Sequence, residues 1–235
     1  HNEQVPPYTP EDTAEFYDDG RFTHGCSSDH IIFDFVDGLT GMAGGSQENI
    51  RRFDITQANA EAFLKATRHM SNRFCPLGVI QGWSPASMAE AARRLVGMGY
   101  DYLALGGTVP LKAPQVMACI TAIRDAIPTR TRLHVLGFAK ADNISDFIGK
   151  GITSFDTTSP LIRAFKDAKS NYYLPGTGGA LNYYTAIRVP QAIENPKLMN
   201  LAKRGVLHQE DLQRMEANAL DALRRYDRGT ADLEE

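Results

Sequence analysis

The residues best suited to chemistry are Asp29, Gln81, the pair Gly106-Gly107, Gly137 and Asp156, and each stands where a short apolar run ends. A carboxylate accepts from adjacent ring and exocyclic N–H groups, while an amide and a glycine N–H donate to a carbonyl oxygen. An acid, an amide and open backbone N–H groups around one pocket therefore suit a planar, polar heterocycle with a guanine-like edge. A second, separate carboxylate has the chemistry of a nucleophile in sugar transfer, as in retaining glycosidases. Each residue also has a plain structural reading. A carboxylate after a strand equally suits the cap of the next helix, and Gly106-Gly107 equally suits a tight turn. Gln81 is harder to set aside, because an amide closing a buried apolar strand needs partners. His30 and His134 lack metal-ligand spacing and read as satisfied structural histidines.

Positioning these groups requires strands that end together. From Gly25 onward, short apolar runs alternate with amphipathic stretches of helical length, the pattern of parallel β/α architecture, whose chemistry collects at the C-terminal ends of the strands. The runs predict strands at 23–28, 77–81, 102–105, 133–137 and 153–156, and helices at 59–73, 86–98, 113–126 and 143–149. Ser84-Pro85 supplies a cap and a first-turn proline for the second helix. Segment 37–58, with four glycines, reads as a long binding loop or lid. Residues 166–190 read as an aromatic loop around Gly176–Gly179, followed by helices at about 195–204 and 209–226. The expected organisation is a leading segment, 1–22, outside the core; a barrel portion, 23–166; and a loop with C-terminal helices, 167–235.

Composition limits the classes. With 43% hydrophobic and 23% charged residues the chain is expected to fold rather than stay disordered. Twenty-five basic residues against 28 acidic ones give a net charge of −3, so any nucleic-acid contact must use a local patch. Three dispersed cysteines, Cys26, Cys75 and Cys119, make no disulfide framework, and no apolar run approaches a membrane span, which predicts a cytoplasmic protein without a membrane partner.

At the residues singled out, the sequence resembles the tRNA-guanine transglycosylase family. Gly78-Val79-Ile80-Gln81-Gly82 looks like that family's G-[IV]-[VI]-Q-G strand, and Leu103-Ala104-Leu105-Gly106-Gly107 like its aliphatic-G-G strand. His134-Val135-Leu136-Gly137 looks like the next strand, and Ser154-Phe155-Asp156 with Pro160 like the segment that carries the nucleophile. The resemblance implies an α/β fold of the TIM (β/α)8 type, of which the later five or so strands fall in this chain. It implies that Asp29 holds the pyrimidine edge of the base, that Gln81 and Gly107 bind its carbonyl oxygen, and that Leu136 stacks on the ring. Thr108 would line the pocket beside the substituent at the seven position, and Gly106 and Gly137 would be further substrate-binding residues. Asp156 would attack C1′ of the target nucleoside, and Arg163 would contact phosphate.

The chain departs from that family's pattern at three places. No cysteine follows Cys119, so the family's zinc site is missing and no cofactor is expected. The basic residue after the nucleophile is displaced, and the early motif with the general base would lie upstream of residue 1. Ser28-Asp29-His30-Ile31, Gln81-Gly82-Trp83-Ser84-Pro85, Arg163-Ala164-Phe165, Asn171-Tyr172-Tyr173 and Ala186-Ile187-Arg188 look closer to the bacterial and phage branch thought to insert 7-deazaguanines into DNA. The resemblance therefore implies DNA, ahead of tRNA, and a 7-deazaguanine base as partners. Two other classes stay open: a base-binding module without turnover, and an unrelated β/α enzyme using Gly106-Gly107 for phosphate.

Overall fold

The computed structural model describes residues 6–70, 73–138, 145–159, 161–162, 172–185, 189 and 195–232. The chain divides into two compact units, His1–Ile162 and Arg163–Glu235.

The first unit is a parallel sheet of five strands in chain order: β1 (His24–Cys26), β2 (Cys75–Ile80), β3 (Tyr102–Leu105), β4 (Arg132–Val135) and β5 (Ser154–Phe155). Helices α2 (Gln47–Ala66), α3 (Pro85–Met98) and α4 (Ala113–Ala126) make the first three crossovers, after a leading helix α1 (Pro10–Asp19). Consecutive parallel neighbours joined by helices are the winding of a (β/α) barrel, so the α/β class and barrel-type order stand as expected.

Strand period separates two cores. Ile80, Leu103, Leu105, Leu133 and Val135 turn toward the helices and are buried with Phe53, Met88, Leu95, Ile120 and Ile123. Leu77, Val79, Tyr102 and Ala104 point to the opposite face and form a smaller cluster with Cys26, Cys75 and Leu136.

Three expectations are corrected. The helix after the first strand starts at Gln47, capped by Ser46, so the connecting loop ends twelve residues earlier than the predicted 37–58 segment. Its buried face carries Asn49, Thr56 and Gln57 beside Phe53 and Phe63, which dilutes the apolar period in the first half of the helix. In the predicted helix 143–149, residues 143 and 144 lie outside the described residues, and 145–147 form one 3-10 turn. Gly149 and Gly151 follow with φ of 76° and 75°, which ends any helix there. Nor is α1 merely a lead-in: Tyr17 packs on Phe63 and Phe74, and its hydroxyl donates to the Cys26 carbonyl (3.3 Å) and accepts from the Cys26 N–H (3.2 Å).

In the second unit, the segment read as a loop contains an antiparallel hairpin, β6 (Tyr172–Pro175) with β7 (Leu181–Tyr184), turning through Gly176–Ala180. Tyr172 faces Tyr184 and Tyr173 faces Tyr183 in its register. Helices α5 (Pro196–Lys203) and α6 (Gln209–Asp227) follow close to their predicted places. Among the described residues no helix is long and apolar enough to cross a membrane.

The loop between β1 and α2 is stitched to the end of β2 through Trp83. The fully buried indole donates to the Ala43 carbonyl (2.9 Å), the Trp83 carbonyl accepts from the Val36 N–H (2.8 Å), and the Trp83 N–H donates to Ser87 Oγ (3.0 Å). Trp83→Ala is expected to lower the unfolding free energy by about 3–5 kcal/mol, read as a lower urea midpoint.

Candidate functional site

The register of the sheet builds the site. Ile80 pairs with Leu105, Leu105 with Val135, and Val135 with Phe155. The residues one step on, Gln81, Gly106, Leu136 and Asp156, therefore fall in one row at the C-terminal rim. Alternation turns their side chains to the face of Val79 and Ala104 rather than to the helices.

Gln81 is fully buried and its amide is engaged on both sides. Nε2 donates to Asp29 Oδ2 (2.6 Å), and Oε1 accepts from the Ile32 N–H (3.2 Å). One Nε2 hydrogen remains for a further acceptor. Gly106 makes this possible, since a Cβ there would sit 2.5 Å from Gln81 Nε2. Gly107 follows at a φ of 72°, a left-handed conformation that favours glycine.

Asp29 is held by α2 and by the residue that follows β2. Its neighbour His30 donates its N–H to Thr56 Oγ1 of α2 (2.9 Å), Arg52 of α2 donates to the Ile31 carbonyl (2.6 Å), and Gln81, just past β2, donates to the carboxylate. Burial pushes the Asp29 carboxyl above the usual carboxylate range, opposed by the Gln81 hydrogen bond. Among the described residues neither candidate carboxylate caps a helix. Ser46 caps α2, and Thr157 Oγ1, not Asp156, accepts the Ser159 N–H.

Asp156 is more open, with 54% of its side chain exposed. Its Oδ1 accepts from the Gly137 N–H (3.1 Å) and lies 3.1 Å from His134 Nε2. Gly137 adopts a φ of 64°, and a Cβ there would press on Val109 at 2.8 Å. The Cys26 thiol is pushed up to about 12, first by burial and then by the charges of both Asp29 and Asp156. A thiol so raised is no nucleophile at neutral pH.

Thr108 is buried, and its hydroxyl donates to the Leu136 carbonyl (2.7 Å), fastening the end of β3 to that of β4. Leu136 packs half-buried against the smaller core cluster. The structure thus brings Gln81 to Asp29, sets Gly106 against Gln81, and joins Gly137 to Asp156. Arg163, Pro160, Asn171 and 186–188 lie outside the described residues. The Gly106-Gly107 pair opens no helix, because α4 begins at Ala113 after its cap Lys112, which removes the basis for the phosphate reading.

Of the two histidines, His30 departs from its sequence reading and His134 keeps to it. His30 is buried, but its Nε2 has no partner among the described residues, so it is not satisfied as expected. His134 is satisfied at both ring nitrogens, with Asp156 one of its partners. Its place was legible: His134 and Ser154 stand two residues before Leu136 and Asp156, so strand period puts them on the same face. Among the described residues no group of three or more metal-ligating side chains converges.

Comparison with known proteins extends the resemblance. No family model matches the chain. A DNA-guanine transglycosylase of Salmonella montevideo is 40% identical over 234 residues, 99% of this chain and 55% of that protein. A queuine tRNA-ribosyltransferase of Gluconacetobacter diazotrophicus is 28% identical over 99 residues, 41% of this chain and 25% of the relative. The chain is similar to the tRNA-guanine transglycosylase family and spans about half the length of the first relative or less of the second.

The raised Asp29 carboxyl has a consequence for stability. The folded state holds that proton more tightly than the unfolded chain, so Asp29 costs nothing below the ordinary carboxylate range. Stability falls as pH rises through the raised pKa and stays lower above it. Asp29→Asn keeps a carbonyl for Gln81 and never ionises. Its melting temperature is expected to exceed the parent's at pH 7, with the gap closing as the pH drops below 4 in a thermal-denaturation series.

Proposed function

We propose that this chain carries the base pocket and nucleophile of a guanine transglycosylase. Guanine in DNA is exchanged for a 7-deazaguanine base through a covalent glycosyl-aspartate. The observation that carries the reading is the row Gln81–Gly106–Leu136–Asp156 along one rim, with Asp29 bonded to its first member. The similarity to a relative named DNA-guanine transglycosylase supports DNA as the polymer.

In this reading the ionised Asp29 accepts from the ring and exocyclic N–H groups of the guanine edge. The spare Gln81 hydrogen and the Gly107 N–H donate to the carbonyl oxygen, and Leu136 lies against the ring. Asp156 attacks C1′; the C1′–Oδ bond forms as the C1′–N9 bond breaks, and guanine leaves with the electron pair and takes up one proton. The incoming 7-deazaguanine gives up its N9 proton, attacks C1′ and returns Asp156 as a free carboxylate. The exchange is neutral in protons and electrons and needs no cofactor. Arg163 is assigned to the phosphate of the strand. Such a base must be unpaired or flipped to reach the rim, and the setting is the cytoplasm, where its polymer lies.

Mass spectrometry of nucleosides from DNA and tRNA, in cells with and without the gene, tests the polymer. A 7-deazaguanine nucleoside is expected to disappear from the DNA pool alone; loss from tRNA alone would transfer the activity to tRNA, as the name of the second relative suggests. At the pocket, Asp29→Asn exchanges a charge-assisted acceptor for a neutral one, worth about 1.5–3 kcal/mol. Guanine affinity by calorimetry is expected to fall by roughly ten- to a hundredfold.

A further inference from the structure

Asp156 is the exposed end of a chain of polar groups that begins at the buried Tyr102 and passes through the half-buried Ser154 and His134. His134 Nε2 lies 3.1 Å from Asp156 Oδ1, and His134 Nδ1 lies 2.6 Å from Ser154 Oγ. Ser154 Oγ in turn lies 2.5 Å from the Tyr102 hydroxyl. The register explains the line: Tyr102 and Ala104 are two residues apart on β3, Ala104 pairs with His134, and His134 pairs with Ser154. The His134 side chain is 16% exposed against 54% for Asp156, so the chain leads from the interior to an open carboxylate.

One arrangement of protons satisfies every member. Tyr102 donates its hydroxyl to Ser154, Ser154 donates to His134 Nδ1, and Nε2–H is left to donate to Asp156. With Ser154 as the donor at Nδ1, the proton of the neutral ring lies on Nε2, as a partner on one ring nitrogen fixes the tautomer at the other. Both donors to the carboxylate, His134 Nε2–H and the Gly137 N–H, fall on Oδ1. Among the described residues Oδ2 has no hydrogen bond, and it is the oxygen left to attack.

We propose that His134, set by Ser154 and Tyr102, is a positioning residue that holds Asp156 by Oδ1 and aims Oδ2 at C1′. This inference rests on the reading of Asp156 as the nucleophile. When the C1′–Oδ2 bond forms, Oδ1 becomes the carbonyl oxygen of the ester and still accepts both donors, so the carboxyl plane is held through the intermediate. When the incoming base displaces Asp156, the charge returns to a carboxylate already hydrogen-bonded. The effect therefore belongs to the chemical steps and not to base binding.

The test uses exchange of labelled guanine into DNA by the parent, His134→Gln, His134→Leu and Asp156→Ala, each first shown by circular dichroism and thermal unfolding to be folded. His134→Leu is expected to lose roughly a hundredfold in kcat, the scale of a misplaced reacting group, with KM for guanine within about threefold. His134→Gln, whose amide can donate near the place of Nε2, is expected to recover at least a tenth of the parent rate. In the parent, nitrogen NMR of labelled histidine is expected to show His134 protonated on Nε2, and Asp156→Ala is expected to shift that signal. A parent without exchange would refute the transglycosylase reading itself, and with it the role given to His134. A parent that exchanges while His134→Leu keeps its kcat would overturn the inference alone. Equal losses in Leu and Gln, with a His134 signal indifferent to Asp156→Ala, would do the same.

Discussion

The parallel register shared by β2, β3, β4 and β5 is the constraint on which the site depends. Because strand side chains alternate with a period of two, one slip in any pairing would turn Gln81, Leu136 or Asp156 toward the helices. Register is fixed by the apolar residues between them. Ile80, Leu105 and Val135 are fully buried against α2, α3 and α4, and a slipped strand would have to expose them. The packing that holds the domain together thus also decides which polar residues share the rim.

Two carboxylates in that space live in different environments. Asp29 is half-buried, bound by Gln81 and raised by desolvation, which suits a group that recognises a neutral heterocycle. Asp156 is half exposed and takes two hydrogen bonds on a single oxygen, which leaves the other for chemistry. Cys26, raised by burial and then by both charges, stays a protonated thiol. The division resembles that of other sites in which two acids of one type are given separate roles by their surroundings.

Much of this was legible in the sequence, because apolar runs bounded by glycine and polar residues mark buried parallel strands closely. Tyr102–Leu105 and Ala113–Ala126 fall on their predicted bounds. The start of α2 was hidden because its buried face carries the polar residues Asn49, Thr56 and Gln57; Thr56 accepts from the His30 N–H and Asn49 donates to Asp34, tying the helix to the segment around Asp29. The β6–β7 hairpin was hidden by its turn glycines, although tyrosine pairs on either side of a glycine-rich turn are a strand signal. The candidate site was visible as a list of strand-end residues. The Gln81–Asp29 bond, the tie from Thr108 to Leu136 and the chain below Asp156 were not, since each depends on strands distant in sequence.

The most direct measurement is the covalent intermediate. The protein is incubated with guanine-containing DNA, denatured, digested with nuclease and protease, and its peptides are sequenced by mass spectrometry. A deoxyribosyl adduct is expected on Asp156 and is expected to vanish when a 7-deazaguanine is added before denaturation. An adduct on any other residue, or exchange that continues undiminished in Asp156→Ala, would contradict the assignment of Asp156 as the nucleophile.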